Sequence, residues 1–502
     1  MNLKVIINIF FIGLIVFFIS TFFSCKKDSL LTDASAKVEF SQDSILFDTV
    51  FTGIGSATKN IRVRNKNNQK IKITSIELKG GYASSFKINV DGVSGVSFKD
   101  VEIAANDSLY IFIQVNVNPN NINSPLIISD VILFYVNSNL QELPLEAWGQ
   151  DAWYHYPTNA IKFKDGTYFP YSLISKDTLV DTIWKKDKPH VIYGYLVVDE
   201  HQKLKIEAGV QIYMNYKAGL WVYKGGQLKV LGDKGNEVVF QGARREKDYA
   251  DEPGQWDRIW INEGSLNNEI NYAIIKNAYI GIQAELLGNQ YYVPKHLKVT
   301  NTKIQNMSKW GIYGLGFNIY GGNNVITNCQ ESSLNLVLGG NYTFIHCTFS
   351  NFWIKDKIRD KSTISISNYS ENTILPLDSA YFGNCIVDGS LSNEINIDLK
   401  SGLNGTVSIN PSYKFSNCWL KTNADLSDVN KYFNCKKDNT SLNYIDKVAY
   451  NFEPKKDEIK VRGFIGNAAI IDAQKFLYDI NKVSRNLSIS NNSITIGAYE
   501  SN

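Results

Sequence analysis

The sequence predicts an all-β protein, with a β-sandwich in the first third of the chain and a parallel β-helix through the rest. Three observations predict it. Short alternating strands separated by Asn-rich turns fill residues 36–152. Leu196, Val198, Leu204 and Ile206 return 24 positions later as Leu220, Val222, Leu228 and Val230. A six-residue motif then recurs along residues 272–422 with a small residue at its second position and a large apolar one at its fourth.

The chain opens with a processing signal rather than with fold. Residues 5–23 are an almost unbroken apolar run after Lys4, and Ser24-Cys25-Lys26-Lys27-Asp28 ends it. A run of that length can cross a bilayer as a helix, so an uncleaved membrane anchor is one reading. The other is a signal peptide over residues 1–25 that presents Cys25 for lipidation. Phe22-Phe23-Ser24-Cys25 resembles a bacterial lipobox, and the junction resembles those of Bacteroidota lipoproteins. The resemblance implies acyl chains on Cys25 (palmitate among them), and two or more chains suffice for stable anchoring. It also implies an outer-membrane, cell-surface location. Asp followed by Ser or Thr occurs at Ser29, Ser44, Thr49, Ser108, Thr178, Thr182 and Ser379. This resembles the O-glycosylation sequon of exported proteins in the same phylum, although such dipeptides are also ordinary turn formers.

Composition narrows the function classes. Fifty-two basic residues face 49 acidic ones, for a net charge of +3, and no basic run is present. Nothing here suits a phosphate backbone, so no nucleic-acid partner is expected. Five cysteines follow Cys25, namely Cys329, Cys347, Cys385, Cys418 and Cys435. An odd number argues against a complete disulfide framework, and no Cys-x-x-Cys occurs to suggest a metal. No cofactor is expected.

Within residues 36–152 the strands include Ile61-Arg62-Val63-Arg64, Leu109-Tyr110-Ile111-Phe112-Ile113 and Ile132-Leu133-Phe134-Tyr135-Val136. About seven strands at such spacing suggest a sandwich. Residues 153–190 read as a linker and β-helix N-terminal cap, and residues 191–502 as the helix itself. Two short strands per 24 residues is the period of a β-helix coil. The later motif begins at Tyr272, Asn301, His346, Asn384 and Asn417. Residues two apart on a strand share a face, so its second and fourth positions both point inward. Cys347, Cys385 and Cys418 fall on the small inward position, where a thiol acts as a small hydrophobe. His346 stands where Asn384 and Asn417 stand, which makes it a corner residue.

Several stretches resemble a known family. Residues 47–65 and the closing Ala147-Trp148-Gly149-Gln150-Asp151-Ala152 resemble immunoglobulin-like modules of Bacteroidota surface proteins. Residues 340–353, Pro253-Gly254-Gln255-Trp256 and Ile496-Gly497-Ala498-Tyr499-Glu500 resemble right-handed parallel β-helix lipoproteins of the pectate-lyase-like (pectin lyase fold) superfamily. Enzymes of this fold act on acidic polysaccharides with clustered acids, basic residues and often calcium. No Asp-Asp pair and no Gly-His-Gly or Arg-Ile-Lys occurs in this chain. The charged run from Lys355 to Lys361 alternates in sign and reads as a solvated loop.

One loop, residues 244–260, interrupts the repeat with charge and aromatics. Arg244, Arg245, Tyr249, Trp256, Arg258 and Trp260, extended by Trp310, form a candidate binding surface; the alternative is a loop that only packs on the solenoid. The expected function is non-enzymatic: a surface lipoprotein whose helix binds a surface glycan or scaffolds an outer-membrane β-barrel protein. The rival is a polysaccharide lyase or glycoside hydrolase, for which Glu246, Asp248, Asp251 and Asp257 are the nearest acids. What separates the two is a cluster of at least two carboxylates and a basic residue on one face, which sequence cannot locate across rungs.

Overall fold

The computed structural model describes residues 29–52, 55–117, 126–177, 179, 181–246, 249–286, 296–355, 358–371, 373–404, 407–464, 466–487 and 494–500. The leader with Cys25, Thr178 and Asp248 lie outside them. The chain divides into two compact units, Met1–Asp151 and Ala152–Asn502.

The first unit is a sandwich of two five-stranded sheets. One holds Lys59–Arg64 between Glu39–Phe40 and Ser108–Val115, with Phe86–Val90 and Val93–Gly95 beyond. The other runs Ile45–Phe51, Asn139–Gln150, Leu126–Val136, Ile71–Leu78, Ser97–Ile103. Alternation decides the layering: Ile61 and Val63 are buried between exposed Arg62 and Arg64, as are Ile111 and Ile113 beside Tyr110 and Phe112. The inward residues of both sheets form one core. The Ala147–Gln150 stretch lies on Asn139–Gln150, which pairs in parallel with Ile45–Phe51 and antiparallel with Leu126–Val136.

The second unit is a parallel β-helix of three sheets with eleven, ten and ten strands. Nearly all parallel crossover connections are right-handed, which fixes the expected sense of the coil. The 24-residue repeat is its register. Leu196 pairs with Leu220 and Val198 with Val222 in the second sheet, and Leu204 with Leu228 and Ile206 with Val230 in the third. The motif's fourth positions stack in the first sheet as Ile275, Ile304, Ile326, Phe349, Val387 and Leu420. The third sheet adds an inward ladder of Phe344, Phe382, Phe415 and Tyr432, with ring centroids 5.5, 4.6 and 5.9 Å apart. Each fully buried ring contributes up to about 3 kcal/mol. No coil could bury these faces alone.

The motif's first position is the corner into the first sheet. Tyr272, Asn301, Asn323, His346, Asn384 and Asn417 all have φ between 48° and 54°. Asn tolerates this left-handed geometry best among non-glycine residues. Asn323 donates to Asn301 at 3.0 Å and Asn434 to Asn417 at 2.7 Å, so the corners also bond to one another. His346 keeps its place in the ladder by accepting from Asn384 at 3.0 Å. Burial holds its ring neutral, with a pKa well below the usual range.

The structure moves two expected boundaries. Trp153–His155, Tyr168–Leu173 and Asp181–Trp184 already pair with the next coil, so the stretch expected as linker and cap supplies the first turn. The coil strands end at Lys436–Lys437. The described residues from 438 to 500 then fold back over the outer face of the first sheet, where Leu442, Tyr444, Phe452, Phe464, Ile496 and Tyr499 pack with Val325, Ile386 and Trp419. Gly497 seats this segment: its N–H donates to the Asn384 carbonyl at 2.8 Å, its φ is +85°, and a Cβ would lie 2.5 Å from Ile386 Cδ1.

Cys347, Cys385 and Cys418 are fully buried free thiols on successive rungs, and the Cys385 N–H donates to Cys418 Sγ at 3.3 Å. Burial pushes the Cys385 thiol up. Each is therefore expected to resist a thiol reagent until the protein unfolds, and each Cys→Ala change to cost about 1 kcal/mol through the small cavity left. Rapid labelling of native protein, read by mass, contradicts this.

Candidate functional site

On the outer face of the second sheet, residues that alternate with the buried ones fall into register columns. Trp221 pairs with Trp260, Trp260 with Gln283, Gln283 with Tyr313 and Tyr313 with Asn335. Beside them Asn262 pairs with Glu285. Inward neighbours Leu220, Val222, Ile259, Ile261, Ile282 and Ala284 are fully buried, which forces this set outward.

The aromatic members form plates. The rings of Trp221 and Trp260 stack at 4.8 Å with 16° between planes, and those of Trp310 and Tyr313 at 4.3 Å with 27°. Phe169 meets Trp221 edge-on at 5.8 Å. Lys309 lies 4.0 Å from the centre of the Trp310 ring.

A chain of polar groups borders the plates. Tyr195 donates its hydroxyl proton to Asp257. Arg258 donates to Asp257 at 2.8 Å and also to Gln283, whose amide in turn donates to Glu285. Trp221 Nε1 donates to Asn262 Oδ1 at 2.5 Å, and the buried Nδ2 of Asn262 has no partner. Burial pushes the Glu285 carboxyl up, against the pull of Gln283, Trp260 and Arg258. Burial also pushes the Tyr195 phenol up, and the Asp257 charge adds to it. Burial works against the Arg258 charge, but Asp257 and Tyr195 outweigh it.

The structure thus unites only part of the expected surface. Arg258 and Trp260 are central to the face, and Trp310 extends it. Trp256 does not belong: it is 1% exposed within the helix core, and its Nε1 donates to the Lys276 carbonyl at 2.9 Å. The Pro-Gly turn before it swings the indole inward rather than out. Arg244, Arg245 and Tyr249 form a separate cluster. Arg244 pairs with Glu246 at 3.2 Å and covers the Tyr249 ring at 3.5 Å, while Arg245 covers Tyr213 of the first sheet at 5.2 Å. Of the nearby acids, Asp251 is exposed, and Asp257 lies in the face. The six described candidate glycosylation residues, Ser29, Ser44, Thr49, Ser108, Thr182 and Ser379, are exposed or half-buried.

Sequence reading missed Tyr195, Trp221, Gln283 and Glu285. The signal was present, since Trp221 sits between two inward members of the 24-residue repeat. Gln283 and Glu285 alternate with Ile282 and Ala284 in the same way. The Lys355–Lys361 run also differs from expectation: Arg359 turns inward, with its side chain 1% exposed, and pairs with the buried Glu394. Among the described residues no group of three or more His, Cys, Asp or Glu could hold a metal ion. Nor is any helix there long and apolar enough to cross a membrane.

No protein-family model matches the chain, and no curated protein matches it. Solved structures that are similar in part include a protein of unknown function from Porphyromonas gingivalis W83, at 14% identity and a TM-score of 0.18, covering 25% of this chain and 50% of that one. A family 123 glycoside hydrolase from Clostridium perfringens follows at 9% identity and a TM-score of 0.17, covering 24% and 31%. An alkylpurine DNA glycosylase from Pseudomonas fluorescens has 11% identity and a TM-score of 0.15, covering 22% and 31%. The chain spans half or less of the length of each.

Proposed function

We propose that the protein is a cell-surface lipoprotein, anchored in the outer membrane through Cys25, whose β-helix captures a glycan on the outer face of its second sheet. It is read as one of the Bacteroidota lipoproteins that join an immunoglobulin-like domain to a pectate-lyase-like right-handed β-helix. The observation that carries the binding role is the stacked Trp221–Trp260 pair beside Arg258, Gln283 and Glu285. Aromatic plates take the apolar faces of sugar rings, and the partly exposed Arg258 guanidinium takes hydroxyls while the buried Gln283 and Glu285 hold it in place. The face is rigid because each of its strands is paired on both sides. An outer-membrane β-barrel protein is the alternative partner for it.

Affinity electrophoresis of the full chain in detergent, through gels holding neutral and acidic polysaccharides, tests this reading. Trp221→Ala with Trp260→Ala is expected to abolish retardation while the melting temperature stays within a few degrees. Retardation that survives the double change removes the proposal. The anchor has its own test: Cys25→Ala is expected to release the protein from membranes or to leave an unprocessed precursor. Palmitate labelling that persists in this variant contradicts lipidation.

One observation favours a second reading, a polysaccharide lyase or glycoside hydrolase. Asp257, Glu285, Arg258 and Tyr195 share one face, which is the cluster of two carboxylates and a base that separates the enzymatic from the binding role. Against it, Asp257 is engaged by both Arg258 and Tyr195, which leaves it poorly placed to activate water or take a proton. Capture without turnover is therefore expected. Release of unsaturated or reducing ends that Glu285→Gln abolishes decides for the enzyme.

A further inference from the structure

A second cleft lies on a different face, between the outer side of the first sheet and the C-terminal segment that folds back over it. Its volume is about 540 Å³, enough for a sugar-sized molecule. Lys276, Lys303 and Gln305 line it from the sheet, and Glu453, Asn481 and Tyr499 from the segment. Lys276 and Gln305 are register partners on neighbouring rungs, with Lys303 two residues earlier on the same strand.

Two features of the cleft lack partners. Lys303 makes no ion pair among the described residues, and its ammonium lies 5.9 Å from the centre of the Tyr499 ring. Tyr499 is 2% exposed, and its hydroxyl is buried with no hydrogen-bond partner. A buried hydroxyl left unpaired costs about 1–3 kcal/mol, a cost that a bound ligand removes. Burial, reinforced by Lys234, depresses the Lys303 pKa, and the charges of Glu237 and Glu453 offset this only in part. Two lysines against Glu453 leave one net positive charge.

We infer that this cleft binds a small oxyanion on a polar, sugar-sized body, with Lys276 and Lys303 on the anion and the Tyr499 hydroxyl and Gln305 amide on its polar atoms. The site is independent of the aromatic face of the second sheet. Carboxylate and phosphate present the same chemistry to it, and the choice of probe separates them.

Calorimetric titration of the full chain in detergent with glucuronate, glucose 6-phosphate and glucose tests the inference. At least one anionic sugar is expected to bind ten-fold or more tightly than glucose. Lys303→Gln and Lys276→Gln are each expected to weaken it ten-fold or more, and Trp221→Ala with Trp260→Ala to leave it unchanged. In NMR of the dimethylated protein, the Lys303 resonance is expected to titrate at higher pH with ligand than without it. Glucose binding as tightly as the anions, unaltered affinity in both lysine variants, or no binding at millimolar concentration overturns the inference.

Discussion

Glu394→Ala is expected to destabilise the β-helix by about 3–5 kcal/mol, the usual consequence of stranding one half of a buried ion pair. The Arg359 and Glu394 side chains are 1% and 0% exposed. Glu394 accepts from Arg359 Nη1 at 2.8 Å and Nη2 at 2.5 Å, from Thr363 N at 3.0 Å and Oγ1 at 2.7 Å, and from Leu391 N at 2.6 Å. Removing the carboxylate strips a buried guanidinium of its counter-charge, leaving it only the Lys361 carbonyl and the Ser390 hydroxyl, and leaves the Thr363 and Leu391 N–H groups without that acceptor. The pair's worth lies in that penalty rather than in net attraction. Replacing both partners by apolar residues, Arg359→Met with Glu394→Leu, should therefore cost far less than either change alone. Denaturant titration of the second unit's transition measures all three variants. A loss below 1 kcal/mol in Glu394→Ala means that the charge finds water.

Acid should weaken the first coil well before ordinary carboxylates titrate. His155 Nε2 and His190 Nδ1 share a hydrogen bond at 3.0 Å, and the His190 ring stacks on Trp184 at 3.8 Å. Burial lowers the His155 pKa to about 4; burial and then the neighbouring His155 lower that of His190 to about 3. Both folded values lie below the unfolded one, so the unfolded chain binds protons first as pH falls. Stability is full above about pH 7, declines from about pH 6.5, and continues to fall until the folded rings titrate. Each tenfold loss of proton affinity on folding corresponds to about 1.4 kcal/mol, so the pair is worth several kcal/mol across this window. His155→Phe with His190→Phe keeps the stack and should flatten the melting temperature between pH 6.5 and 4. An unchanged slope in that variant places the acid sensitivity elsewhere.

The sequence carries the fold well because a solenoid repeats its own register. Leu196 and Leu220 stack 24 residues apart, and Cys347, Cys385 and Cys418 fall on successive rungs, so a linear period becomes a spatial column. The ends of the coil were less legible. Trp153–His155 pairs only on one side and shows no repeat, while Leu442, Tyr444, Phe452, Phe464, Ile496 and Tyr499 are apolar positions that cover a sheet instead of extending one. The candidate site was half legible for a related reason. Arg258 and Trp260 stand out as charge and aromatics in a loop, but Trp256 offers the same signal and is core. Their partners Trp221, Gln283 and Glu285 come from neighbouring rungs, and only the register shows that they share a face. The inward turn of Arg359 was hidden because a charged run gives no sign of a buried acid 35 positions away.

Hydrogen exchange of the full chain in detergent, with and without a glycan that retards it in gels, tests the central proposal most directly. Binding is expected to protect Gly219–Val222, Ile259–Asn262 and Ile280–Glu285, the adjacent strands that carry the Trp221–Trp260 plates and the Arg258–Glu285 chain. Protection confined to the sandwich, or to the Arg244–Tyr249 cluster with these strands unaltered, contradicts it.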